Sequence, residues 1–262
     1  MDSSSGAALH RDITPNPQAL EQSRSQRILW LLEELNIPYE LKTYKRGPDM
    51  LAPKELKEVH PLGKSPVIGI ENANTTKPLI LAESGFITEY LCDHFNGERL
   101  VPKRYKEGKE GEVGAETEEW IRYRYYMHYA EGSLMPFLLL SLVMDGLRNA
   151  PVPFFVKPIT GIVASKVESA FINRNIDNHF RFLDEQLKTA PGGGPYLCGT
   201  ELAAADILIS FPIIAAMVRL PGGAEKYPNV KKYADLLQGT EGYKKAVKKI
   251  EEVEGKFEPI MS

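Results

Sequence analysis

Ser23 and Ser84 are the two positions where residue type and setting together suggest chemistry. Ser23 ends a loop and opens a helical pattern, Ile28, Leu31, Leu32 and Leu35, that stops at Asn36 before Pro38. Ser84 follows a β-rich run ending at Ala82 and opens a helical pattern through Ile87, Leu91 and Phe95. At either place a serine can be a plain N-cap that accepts a free backbone N–H. Two helix N-termini aimed at one point also make an anion site, because free N–H groups and the helix dipole both favour negative charge. The chemistry open to such a pair is capture of an anionic ligand with a hydroxyl at hand to donate to it.

Other constellations fail on spacing. Gly63-Lys64-Ser65 ends like a phosphate loop, but Glu58 stands where the first glycine is needed, and Pro66 opens a strand rather than a helix. Gly192-Gly193-Gly194 lacks the Lys-Ser/Thr ending and reads as a loop. Cys92 and Cys198 are far apart and form no CxxC, so neither a disulfide framework nor a dithiol motif is supported. No two histidines sit at i, i+3 or i, i+4, so a His-based metal site has little support. Tyr123, Tyr125, Tyr126, His128 and Tyr129 crowd one stretch and would suit planar apolar ligands, though the same residues also read as core and subunit contacts.

The elements that must position these residues fall into two blocks. Residues 1–13 read as a flexible tail. Over 14–97 the order is strand, helix, strand, helix, hairpin, helix, a small α/β unit whose sheet needs helical cover. Its first strand is compromised by Pro15 and Pro17, so only Gln18–Leu20 is expected to pair. The second strand reads as 39–44. Pro53 opens a short helix to Val59, and 66–70 and 79–82 are strands. Residues 98–115, rich in Gly, Lys and Glu, read as a linker. The block 116–262 is helical throughout: 116–146 bent near Pro136, 160–188, 203–219, 227–238 and 241–254. Pro151, Pro153 and Pro158 are expected to break helix between the first two.

Three stretches in order, Ser23–Leu35, His60-Pro61-Leu62-Gly63-Lys64-Ser65-Pro66 and Leu81-Ala82-Glu83-Ser84-Gly85-Phe86-Ile87, resemble the N-terminal domain of glutathione transferases, closest to the fungal enzymes of the yeast type. The resemblance continues through Tyr129–Leu134 and Ala205–Pro212 and spans about residues 17 to 250. It implies a thioredoxin-like α/β N-terminal domain, an all-α helical-bundle C-terminal domain, and a cis bond before Pro66. It implies that Ser65 pairs its backbone with the cysteinyl part of glutathione. Glu83 would meet the γ-glutamyl ammonium, Ser84 the adjoining carboxylate and Lys64 the glycyl carboxylate. Ser23 matches the hydroxyl that activates the thiol in serine-type members. A thiol of pKa about 8.5 needs roughly 2.7 kcal/mol to fall by about 2 units. A hydrogen bond to a charged group is worth about 1.5–3 kcal/mol, and a helix N-terminus adds about 0.3–2 kcal/mol. No cysteine stands at this position, which argues against the thiol–disulfide branch.

The electrophile pocket is expected on the first long helix of the second block, at Arg122, Tyr126 and Tyr129, which share a helical face. Ala203 takes the place of a Ser or Thr cap three residues before Asp206, so Asp206 works alone or Thr200 substitutes. The implied activity is conjugation of glutathione, as co-substrate without further cofactor, to small apolar electrophiles in detoxification, with reduction of hydroperoxides as a side activity. The implied assembly is a homodimer. The alternative is a non-catalytic binding or regulatory protein on the same fold.

Bulk properties set the remaining bounds. The 262 residues carry a net charge of −3, which offers no basic field for nucleic acid. The apolar run 207–218 is too short for a membrane span, and the polar N-terminus is no signal peptide. These features lead to the expectation of a cytoplasmic protein without a transmembrane segment.

Overall fold

A mixed sheet of four strands organises the N-terminal block. The computed structural model describes residues 14–21, 23–47, 51–71, 76–220 and 222–258; the tail expected over 1–13 lies outside the described residues. The elements run β1 (Thr14–Leu20), α1 (Ser25–Leu35), β2 (Lys42–Tyr44), α2 (Leu56–Val59), β3 (Val67–Glu71), β4 (Leu79–Ala82) and α3 (Ser84–His94). The strand order is β2-β1-β3-β4, with β1 parallel to β2 and antiparallel to β3, and β4 antiparallel to β3.

The full length of β1 corrects the expectation that only 18–20 would pair. Pro15 and Pro17 stand opposite Ile70 and Ile68 in register. Leu20 donates its N–H toward β3, to Ser65 Oγ at 3.1 Å. Strand alternation then turns the N–H positions of residues 15 and 17 to the other edge. There β2 pairs only from Gln18 onward, so the missing proline donors face no strand. The Pro15 carbonyl on that edge still accepts the Glu40 N–H at 3.2 Å.

Helix α1 is buried on nearly every side, with Ile28, Leu29, Trp30, Leu31 and Leu32 at 0–1% exposure. It lies between the sheet and the helices of the second block, which explains why its apolar residues do not keep to one stripe. Its C-terminus closes on Asn36 at φ 53°, whose N–H reaches Glu33 O.

The helical block contains two long runs. The first is α4 (Glu118–Tyr129), a π-helical turn over Ala130–Leu134, and α5 (Met135–Arg148); the second is α6 (Lys157–Val167), a π-helical turn over Glu168–Ile172, and α7 (Asn173–Lys188). The irregularity expected near Pro136 is the first π turn: Pro136 falls in the first turn of α5 and has no N–H to offer the preceding turn. Pro158 likewise begins α6 rather than breaking it. By length and composition the run Glu118–Arg148 could cross a membrane, with a mean hydropathy of 1.4 in its most apolar window. Its middle, however, carries Glu131, paired with Arg24 and Arg27 of the N-terminal block.

Helices α8 (Ala204–Arg219), α9 (Gly223–Lys226), α10 (Pro228–Gly239) and α11 (Glu241–Glu254) complete the block. Asp206 is fully buried at the start of α8 and its carboxylate accepts Ala203 N–H (2.9 Å), Leu197 N–H (3.1 Å) and the Tyr233 hydroxyl (2.6 Å). Asp206 thus caps α8 alone and also ties α10 to it. Burial outweighs these donors and pushes its pKa up to about 6.

Candidate active site

Where the carboxyl end of β1, the loop before β3 and the start of α3 meet α5 and α8, the two blocks leave a cleft of about 540 Å³. Ser23, Lys64, Ser65, Pro66, Glu83 and Ser84 all line it. The volume falls in the usual range for small-ligand sites, about 300–1,000 Å³. A neighbouring cavity of about 140 Å³ under residues 250–258 shares Leu20, Ser23 and Phe211, but neither Pro66 nor the Glu83–Ser84 pair.

Local backbone geometry explains the convergence. The loop 60–66 turns at Gly63, whose φ of +57° suits glycine, and whose N–H reaches His60 O at 2.8 Å. The Ser65–Pro66 bond is cis. Ser65 Oγ donates to Gln18 O at 2.8 Å and accepts the Leu20 N–H at 3.1 Å, which fastens the loop to the end of β1. Glu83 precedes α3 at φ 69°, ψ 112°, a conformation that is costly for a residue with a side chain. No side chain caps α3. Its first amides therefore stay available at the cleft, together with the positive end of the helix dipole.

A chain of hydroxyls joins the two serine-bearing segments. Ser25 Oγ lies 2.6 Å from Ser65 Oγ, and Ser23 Oγ lies 2.9 Å from Ser25 Oγ. Because Ser65 spends its proton on Gln18 O, Ser25 must donate to Ser65, and Ser23 to Ser25. Ser23 Oγ also accepts the Ser25 N–H at 3.2 Å. Ser23 therefore takes the first amide of α1 and is also the last hydroxyl of a proton-ordered row that ends at the cleft.

A family comparison decides the setting of this cleft. The family model described as the glutathione S-transferase N-terminal domain matches residues 23–94, and that for the C-terminal domain matches 157–249. Over 224 residues, covering 86% of this chain and 90% of the relative, the sequence is 34% identical to glutathione S-transferase 1 of Saccharomyces cerevisiae. The chain belongs to the glutathione S-transferase family. It is also 31% identical over 233 residues to glutathione S-transferase 3 of Schizosaccharomyces pombe, covering 89% of this chain and 86% of that one. Among solved structures, a glutathione S-transferase from Actinobacillus pleuropneumoniae superposes with a TM-score of 0.66 at 27% identity, covering 94% and 95% of the two chains.

The structure places Arg122, Tyr126 and Tyr129, expected at the electrophile pocket, away from this cleft. The three do share a face of α4, but that face packs on α7. Arg122 donates to Gln186 O (2.9 Å) and Thr189 O (2.6 Å), closing the C-terminus of α7, and pairs with Glu118. Tyr126 is buried, with its hydroxyl 3.4 Å from Gln186 Oε1. Tyr129 is buried and its hydroxyl meets His179 Nδ1 at 2.7 Å. Burial pushes both phenols well up.

The apolar wall of the cleft comes instead from Leu20, Met135, Leu139 and Phe211. Arg24, Arg46, His60 and Glu131 also line it, and sequence reasoning assigned none of them a role. Arg24 and Glu131 stand inside the stretches that carry the family resemblance. No local spacing, however, shows that Arg24 Nε lies 3.1 Å from Glu131 Oε1 across 107 residues.

Proposed function

We propose that this member of the family binds glutathione as a co-substrate and transfers its thiolate to small apolar electrophiles, with no further cofactor or metal. Ser23 donates its hydroxyl proton to the sulfur. Ser65 aligns the cysteinyl backbone. Glu83 takes the γ-glutamyl ammonium, Ser84 and the open amides of α3 take the adjoining carboxylate, and Lys64 takes the glycyl carboxylate. The electrophile rests on Met135, Leu139 and Phe211. In the reaction the sulfur forms a bond to the electrophilic carbon, the leaving group departs with its electron pair, and the thiol proton passes to water. Reduction of hydroperoxides by the same thiolate is the side activity.

The observation that carries this reading is the gathering of Ser23, Ser65 and the Glu83–Ser84 pair around one cleft with an apolar wall. An oxidoreductase working through its own thiol fits poorly. Cys92 and Cys198 are both buried, and burial pushes Cys92 up to about 12 and Cys198 well up. Their unpaired state also supports a cytoplasmic, reducing setting. Phe86 on α3 and Ile121 and Tyr125 on α4 are large apolar side chains left exposed, as residues of a homodimer contact would be in a single subunit.

The test is conjugation of glutathione to an aromatic halide, with glutathione binding measured alongside. Turnover with binding supports the transferase. Binding without turnover across a panel of halides and hydroperoxides would favour a non-catalytic glutathione-binding protein. Absence of binding would refute the reading.

A further inference from the structure

We propose that Arg27 is a positioning residue for the γ-glutamyl subsite, fixing the Ser84 hydroxyl as a donor aimed at the ligand's α-carboxylate. The inference rests on the glutathione reading above.

Arg27 has no exposed surface, and its guanidinium contacts three elements. Nη2 donates to Ser84 Oγ at 2.6 Å, Nη1 donates to Leu208 O at 2.5 Å, and the group is ion-paired with Glu131. Both domain-two partners depend on helix irregularities. Leu208 O is open because residue 212, whose N–H would normally bond to it, is proline. Glu131 stands in the π turn between α4 and α5. Glu131 also accepts from Arg24 Nε, which lies 3.1 Å from Oε1 and 3.0 Å from Oε2.

This arrangement decides the polarity of Ser84. A guanidinium only donates, so it occupies a lone pair of the hydroxyl oxygen. The hydroxyl proton is then left to donate. The Ser84 carbonyl is also engaged, by the Thr88 hydroxyl at 2.8 Å. Two guanidinium groups, Arg24 and Arg27, share the single Glu131 carboxylate, so the cation that touches Ser84 is not matched by a carboxylate of its own. A carboxylate ligand gains from both the oriented proton and the charge. Lysine cannot replace Arg27 here, because an ammonium is a point charge that lacks the fork spanning Leu208 O and Ser84 Oγ.

The experiment measures binding of glutathione and of γ-aminobutyryl-cysteinylglycine, which lacks only the α-carboxylate, to wild type, Arg27→Lys, Ser84→Ala and the double variant. Arg27→Gln replaces Arg27→Lys should the latter melt in the assay range. For glutathione, Arg27→Lys is expected to raise Kd and KM about tenfold with kcat within about twofold. For the decarboxylated analogue it should change Kd by less than about twofold, and it should add little to Ser84→Ala. Equal weakening of both ligands by Arg27→Lys, or full additivity with Ser84→Ala, would overturn the positioning role and leave the glutathione reading intact. Equal affinity of the wild type for the two ligands would overturn the Ser84 subsite and the proposal together.

Discussion

Replacing Ser23 by alanine is expected to raise the pKa of the bound glutathione thiol by about one unit, and the hydroxyl row sets that size. Within the hydroxyl row the Ser23 proton points to Ser25 Oγ, 2.9 Å away. To serve a thiolate it must turn away, giving up a neutral hydrogen bond worth about 0.5–1.5 kcal/mol for a charge-assisted one worth about 1.5–3 kcal/mol. The net gain is about 1.4 kcal/mol, or one pKa unit. The helix N-terminus contributes in wild type and variant alike, so it drops out of the difference. Titrating the ultraviolet absorbance of the bound thiolate reads the shift directly. Below both pKa values kcat/KM should fall about tenfold in Ser23→Ala, and well above them the two proteins should converge. Ser25→Ala is the control. It removes the acceptor that holds the Ser23 proton, so the thiol pKa should stay or fall. An unchanged thiol pKa in Ser23→Ala, with a rise in Ser25→Ala, would refute the reasoning and transfer the donor role to Ser25.

Other perturbations test the framework around the site. Glu83→Gly should be about 1 kcal/mol more stable in urea than Glu83→Ala, because only glycine accepts φ 69° without cost, while both weaken glutathione binding about tenfold. Gly242→Ala should destabilise by about 1–3 kcal/mol despite the better helix propensity of alanine, since its Cβ would lie 2.2 Å from Glu34 Oε1 and 2.8 Å from the Trp30 ring; a gain in melting temperature would contradict this packing. Asp206, with a folded-state pKa of about 6 against about 3.9 in an unfolded chain, binds more protons in the native state between those values. Its stabilising contribution is therefore full below about pH 4 and lost as pH rises through 6, by about 3 kcal/mol, whereas Asp206→Asn should lack this component in a comparison of denaturation against pH.

Much of the fold was readable because its signals are local. The helix beginning near Ser23 and stopping at Asn36, the β4 run, and the start of α3 after Glu83 are written within a few residues of where they act. The family resemblance added the cis bond before Pro66, which local pattern could not supply. Two misreadings share a cause. Pro15 and Pro17 argued against pairing because a single strand does not reveal which edge its donors face. Arg122, Tyr126 and Tyr129 were grouped correctly on one face of α4, but periodicity does not tell which neighbour that face meets. The partners that were missed are all distant in the chain. Glu131 is 104 residues from Arg27, and Leu208 is 181 residues away.

These distant partners explain why residues that weaken helices stand in the most buried part of the second block. A proline inside α8 leaves the Leu208 carbonyl without its helical donor, in a helix whose neighbours are almost all buried. An orphaned buried carbonyl of this kind is normally destabilising. Arg27 has the complementary need: a buried guanidinium requires several acceptors. Arg27 Nη1 supplies the donor that the Leu208 carbonyl lacks, and the π turn before Pro136 sets Glu131 where it pairs with the same guanidinium. The substitution-sensitive core is therefore shared between the two blocks rather than owned by either. Ser84 sits on that shared cation at the edge of the cleft. If Ser84 holds the ligand as proposed, that ligand feels the docking of α8 and of the α4–α5 run against α1, and the affinity of the cleft is coupled to the cohesion of the two blocks through one side chain.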